Sequence, residues 1–164
     1  MKFREMRRFR QSLPEQECVE ILERNTSGVL AALGDGGYPY AVPLSYAYRD
    51  GSLYFHCAKS GHKLDAIKSC DKVSFCVIDQ DRVVPEQYTT WFRSVIVFGR
   101  AGIVTDREEI LDAIERLAVK YAPGDSAEHR DAAIRREFDA LCMVKIQVES
   151  MTGKVAIELA GKRS

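Results

Sequence analysis

Donors of negative-charge recognition crowd into one short stretch of this chain, Phe55-His56-Cys57-Ala58-Lys59-Ser60-Gly61-His62-Lys63-Leu64-Asp65-Ala66-Ile67-Lys68. The pattern reads as the end of a strand, a tight turn and a helix over about 61–70, with Leu64 and Ile67 facing inward. Ser60 is placed to cap that helix through its hydroxyl, leaving Gly61, His62 and Lys63 in the first turn. Unbonded backbone N–H groups, the positive end of the helix dipole, the Lys63 ammonium and the His62 imidazole then meet at one point. That is the donor set a phosphate monoester requires. A capped helix that merely carries a solvated lysine is the plainer alternative. Neither the GxxxxGK[ST] nor the GxGxxG pattern occurs, so a nucleoside-triphosphate or Rossmann site has no support.

Other constellations are weaker. His56, Cys57 and His62 fit no zinc spacing, and no metal site is expected. A Cys–His nucleophile pair needs a third group, and a buried structural cysteine is the simpler reading. Glu108, Glu109, Asp112 and Glu115 read as a solvated helix face. Trp91 and Phe92 read as core or interface aromatics, or as a wall for a planar ligand.

The elements that must position these groups fit one domain over 1–164. Hydrophobic residues make up 46% and charged residues 29%, ordinary for a globular protein with a sizeable core. Lys and Arg number 24, as do Asp and Glu, so no broad field favours nucleic acid or an anionic membrane. No apolar run reaches the roughly 20 residues of a membrane span. The basic N-terminus, with Arg4, Arg7, Arg8 and Arg10, lacks the apolar stretch of a signal peptide. Those arginines form either a solvated tail or an arm packing on another subunit. Five cysteines without CxxC spacing point to free thiols in a reducing cytoplasm.

In chain order, Ser12 with Glu15 gives a capping-box start to a helix ending near Arg24. A strand follows over 28–33, then a turn at Gly34-Asp35-Gly36-Gly37, then a strand over 38–48 in which Pro43 marks an edge or a bulge. Asp50-Gly51 is a hairpin turn into a strand over 52–57. Beyond the 61–70 helix come a strand over 73–78, a polar loop over 79–91 and a long strand over 94–104, where Gly99 and Gly102 suggest a bulge or barrel bend. Thr105 with Glu108 opens one helix and Ser126 another, the second running to about Leu141. Met143–Val148 is a strand that Gly153–Leu159 can continue. The chain is therefore mainly β with flanking helices: a small, six-stranded antiparallel barrel.

Five segments now carry a resemblance: Met6-Arg7-Arg8; Ala41-Val42-Pro43-Leu44-Ser45-Tyr46; Phe55 to Lys63; Arg93 to Ala101; and Met151-Thr152-Gly153-Lys154-Val155-Ala156. Together the chain resembles the FMN-binding split-barrel proteins related to pyridoxamine 5′-phosphate oxidase, nearest the nitroimidazole-resistance (Nim) flavoproteins. The resemblance implies a six-stranded split barrel and a homodimer with FMN in a groove between subunits. It implies that Pro43, Leu44, Ser45 and Tyr46 run beside the isoalloxazine ring. His56, Cys57 and Ala58 would pass near the ribityl chain and ring, and Gly61, His62 and Lys63 would grip the phosphate. Arg93, Ser94 and Val95 would add contacts. The arginine-rich carboxy-terminal signature of the oxidase is not recognisable, which argues against pyridoxamine phosphate oxidation. The implied function is an oxidoreductase passing electrons from NAD(P)H to a small acceptor, with His56 as the candidate catalytic residue. The alternatives are a non-catalytic flavin- or haem-binding protein and a deazaflavin-dependent enzyme.

Overall fold

The computed structural model describes residues 2–161, so Met1 and residues 162–164 of the expected domain lie outside the described residues. Among the described residues, eight strands form one antiparallel sheet: β1 (Ser12–Leu13), β2 (Ser27–Leu33), β3 (Pro39–Ser45), β4 (Ala47–Arg49), β5 (Ser52–Ala58), β6 (Lys72–Val84), β7 (Thr89–Ile103) and β8 (Leu141–Val155). The helices are α1 (Glu15–Arg24), α2 (His62–Ser69), α3 (Arg107–Tyr121), α4 (Ala127–Glu137) and α5 (Ile157–Ala160). The sheet order is β3-β2-β6-β7-β8-β5-β4, with β1 pairing β8 beside that path.

The two ends of the path, β3 and β4, are consecutive in the chain and separated only by Tyr46. A sheet whose first and last strands are joined through one residue has to curl round on itself. It is a barrel, split where β3 and β4 follow one another instead of pairing. The two strands beyond the expected six have simple origins. The expected 38–48 strand breaks at Tyr46 into β3 and β4, and Ser12–Leu13 adds a short bridge to Lys154 and Gly153.

Curvature enters where the ladders skip a residue. On β6 the register jumps between Ile78 and Gln80, leaving Asp79 unpaired in the ladder, and on β8 Glu149 is skipped opposite Phe98 and Gly99. Gly99 is required there, because a Cβ would run into the Gln147 backbone carbonyl. Gly102 has open space around it and plays no such part.

Alternating residues of the strands fill the barrel with Leu30, Leu53, Phe55, Phe75, Val95, Val97, Val144 and Ile146, closed by Cys18, Ile21 and Leu22 of α1 and Leu64 and Ile67 of α2. A second cluster lies on the outer face of β4, β5 and β8. There Ala47, Tyr54 and Met143 pack against Ala113, Ile114 and Leu117 of α3.

Several local expectations give way. The polar stretch 79–91 is not a loop. β6 and β7 continue through it as a hairpin arm paired from Gln80–Arg93 to Val84–Thr89, turning at 85–88. Ser12 does not cap α1, whose N-cap position is Pro14. Thr105 gives way to Asp106, whose side chain accepts from the Glu109 N–H at 2.8 Å. Ser126 does cap its helix, accepting from the His129 N–H at 3.2 Å. The four N-terminal arginines are exposed, while Phe3 of the same arm stacks on Phe98 of β7 with ring centroids 5.6 Å apart.

Candidate functional site

β5 delivers the site. Its inward residues Leu53 and Phe55 are locked in the core, which turns His56 and Ala58 outward at the strand's end. The chain then bends through Lys59 and Ser60 to Gly61. The N-cap of α2 is Gly61, at φ +124°, with no side-chain cap; Ser60 does not fill that role. This is a backbone conformation that a side chain would strain. The Gly61 carbonyl accepts from the N–H groups of Leu64 (2.9 Å) and Asp65 (3.2 Å). The earlier N–H groups of the first turn have no intrahelical acceptor, and no serine hydroxyl competes for them. The corner is thus more available to an anion than a serine-capped helix would be.

The two side chains of that turn diverge. His62 leans to the β2–β3 turn, where its ring lies 4.1 Å from that of Tyr40 and its Nε2 is 3.7 Å from the exposed Asp35 carboxylate. Lys63 leans to β5. Burial foremost, and then the Lys63 charge, push the His56 pKa below its ordinary value, so this imidazole is neutral at neutral pH. Burial pushes the Cys57 thiol up, against the opposing pull of Lys63. The Lys63 ammonium therefore acts directly on the strand end beside it.

A groove of about 610 Å³ opens next to this corner. One wall is Ser45, His56, Cys57 and Ala58; the other is the α3–α4 hairpin, with Leu117, Tyr121 and Ile134. Tyr121 ties the walls together, its hydroxyl accepting from the Tyr46 N–H at 3.1 Å across the break between β3 and β4.

Not every expected residue reaches the groove. Pro43 lies on the exposed face of β3, a strand paired only with β2, and Leu44 turns inward to the core. The Tyr46 side chain is fully buried. Its hydroxyl donates to the Leu22 carbonyl at 2.8 Å, its ring meets Phe75 edge-on, and burial drives its pKa up. Only its backbone borders the site. Val95 is likewise a core residue, 0% exposed.

Arg93 and Ser94 lie on β7, away from the groove lining within one chain. Arg93 Nη1 stands 3.9 Å from Asp79, while its Nε is buried without a hydrogen-bond acceptor. Asp79 also takes the Arg24 guanidinium in two bonds, at 2.8 and 2.6 Å, and the Asn25 amide at 2.8 Å. Sequence reasoning passed over Asp79, Tyr121 and the α4 wall. The one available signal was the apolar spacing of Ile110, Ile114, Leu117 and Tyr121 along α3. Among the described residues, no group of three or more His, Cys, Asp and Glu side chains is placed to hold a metal ion. None of the described helices is long and apolar enough to cross a membrane.

The family described as pyridoxamine 5′-phosphate oxidase matches residues 14–155, most of the chain. The chain belongs to that family. No curated protein matches it in sequence. Many solved structures share the fold with it. A protein of Bacteroides thetaiotaomicron described as a 5-nitroimidazole antibiotic resistance protein is 23% identical, with a TM-score of 0.72 over 88% of this chain and 86% of that one. An FAD-binding protein of Mesorhizobium loti is 26% identical, with a TM-score of 0.66 over 89% and 97%. A flavocytochrome of Azotobacter vinelandii is 18% identical, with a TM-score of 0.72 over 92% and 72%. The pyridoxamine 5′-phosphate oxidase-like split barrel is therefore the architecture of this chain, with Gly61–Lys63 at one strand end and the α3–α4 groove beside it.

Proposed function

We propose that this chain is an FMN-binding flavoprotein that passes electrons from NAD(P)H to a small acceptor, working as a homodimer. The observation that carries the reading is the β5–α2 corner. Gly61 leaves the first-turn N–H groups of α2 open, and Lys63 directs its charge onto His56 and Cys57 at the edge of an apolar groove. The donor set suits FMN. A dianionic monoester needs several N–H donors and one cation at a helix start. The groove, at about 610 Å³, is of the size that holds cofactors. The family membership and the FAD-binding relative support a flavin in this fold.

Bound there, FMN would supply hydride and electron transfer. The chain's own residues bind and orient. Gly61, His62 and Lys63 hold the phosphate, Ser45 and His56–Ala58 flank the groove, and Leu117, Tyr121 and Ile134 exclude water from it. Neutral His56 can accept a hydrogen bond or a proton at the groove's edge.

The dimer rests on an outward sheet face. Ile78, Ile96 and Phe98 stand exposed on β6 and β7, with Cys76, Thr152 and Ser150 as their cross-strand neighbours. Exposed apolar side chains clustered on two neighbouring strands need a cover. Ser94 on β7 extends the same surface, where a second subunit would bring it toward its neighbour's groove, while Arg93 points to the opposite face beside Asp79.

The visible spectrum of the purified protein with FMN, before and after anaerobic addition of NADPH, tests the reading. Flavin bands that bleach are the expected result. Bands that resist both NADPH and NADH would leave binding without turnover. Protein that stays flavin-free through the titration would overturn the assignment.

A further inference from the structure

Cys57 and Cys142 face each other across β5 and β8 as direct antiparallel partners. Residues in that relation have Cα atoms about 4.5 or 5.5 Å apart, depending on the type of pair. Both spacings fall in the roughly 4.4–6.8 Å range that a disulfide spans. Their side chains share one face of the sheet, the barrel-interior face, where Cys142 belongs to the core and Cys57 packs against it. The two thiols are near enough for Cys142 to add to the upward push on the Cys57 pKa, after burial. They differ in access, since Cys142 is buried and Cys57 is partly exposed where the strand meets the groove. Lys63 acts electrostatically on Cys57. No other two of the five cysteines are paired in register in the sheet.

We propose that Cys57 and Cys142 are a redox-active dithiol that a small hydroperoxide converts to a cross-strand disulfide. The Cys57 thiolate attacks one peroxide oxygen and the O–O bond breaks. The leaving oxygen departs as water or an alcohol after taking a proton, and Cys57 is left as a sulfenic acid. The Cys142 sulfur then attacks the Cys57 sulfur, the S–O bond breaks, and water leaves with the Cys142 proton. Two thiols lose two electrons and two protons, and the peroxide is reduced by two electrons. Cys57 is the attacking residue because it is the accessible one and lies beside a cation. Burial keeps most of it protonated at neutral pH, so the reaction speeds up as the pH rises. The product pins the end of β5 to β8 at the strand end from which the Gly61 corner hangs. None of this requires a bound flavin.

The test is a thiol count and a non-reducing peptide map of the reduced, flavin-free protein after a few equivalents of hydrogen peroxide. The free thiols should fall from five to three, with a peptide linking Cys57 to Cys142, a mass lower by two hydrogens and full reversal by dithiothreitol. Cys142→Ser should form no link and should give a dimedone adduct at Cys57. The wild-type map alone decides the matter if that variant does not fold. Retention of all five thiols, first loss at Cys70 or Cys76, or Cys57 oxidised to its sulfinic acid without a link would each overturn the proposal.

Discussion

Lys63 is the residue on which the proposed phosphate site turns, because it is the cation next to the open N–H groups at Gly61 and its charge is felt at His56 and Cys57. Lys63→Ala should weaken FMN binding by about 1.5–3 kcal/mol, the worth of a charge-assisted hydrogen bond, as read by fluorescence titration. Unchanged affinity would move the phosphate elsewhere. Asp79 makes a separate prediction about stability. Burial pushes its carboxyl up, but bonds from Arg24 and Asn25 and the charges of Arg24 and Arg93 outweigh that and hold it below its ordinary value of 3.8. A carboxylate depressed in the folded state stabilises the protein above its unfolded pKa and loses that contribution as pH falls through the folded value. Unfolding free energy should therefore drop as the pH is lowered below about 4. Asp79→Asn should be less stable at neutral pH and should show a shallower acid dependence in denaturant melts across that window.

Elements were legible where a local pattern and the tertiary demand agreed. β2, β5, α2 and the Asp50-Gly51 turn follow directly from alternation, helical spacing and turn residues, and Ser126 caps α4 as its sequence suggests. Caps failed where a neighbour had the better backbone geometry. Gly61 at positive φ displaces Ser60, Asp106 displaces Thr105, and Ser12 is drawn into pairing with Lys154. The 79–91 stretch hid its strands because much of the β6–β7 arm is exposed, so cross-strand pairing and not an apolar face marks it. The groove was half visible. Ser45 and His56–Ala58 follow from the family resemblance, but an amphipathic helix such as α3 does not announce which surface it covers. Of Gly99 and Gly102, expected to mark a bulge or barrel bend, Gly99 lies opposite the β8 bulge and gives the element-scale prediction. Gly99→Ala sets a Cβ against the Gln147 carbonyl and should cost about 1–3 kcal/mol in chemical denaturation, as overpacking against backbone does. A Gly102→Ala control, with open space at that position, should be tolerated.

At the scale of the whole molecule, one chain does not bring all the expected contacts together. The groove takes its walls from β3, β5, α3 and α4, while on β7 Ser94 lies on the face that exposes Ile96 and Phe98 and Arg93 on the opposite one, beside Asp79. A second copy covering that face would bury the exposed Ile78, Ile96 and Phe98. Phe98→Asp should shift the sedimentation coefficient from dimer to monomer and lower FMN affinity at least about tenfold, roughly 1.4 kcal/mol. A monomeric variant that keeps full affinity would place the whole site within one subunit. Recognition of a phosphate by the β5–α2 corner is measured by titrating the same protein with FMN and with riboflavin, which share a ring and differ in the phosphate. FMN should bind more tightly by about 1.5–3 kcal/mol or more, since riboflavin leaves Lys63 and the first-turn N–H groups without an anion. Equal affinity for the two would mean that the corner does not bind the phosphate.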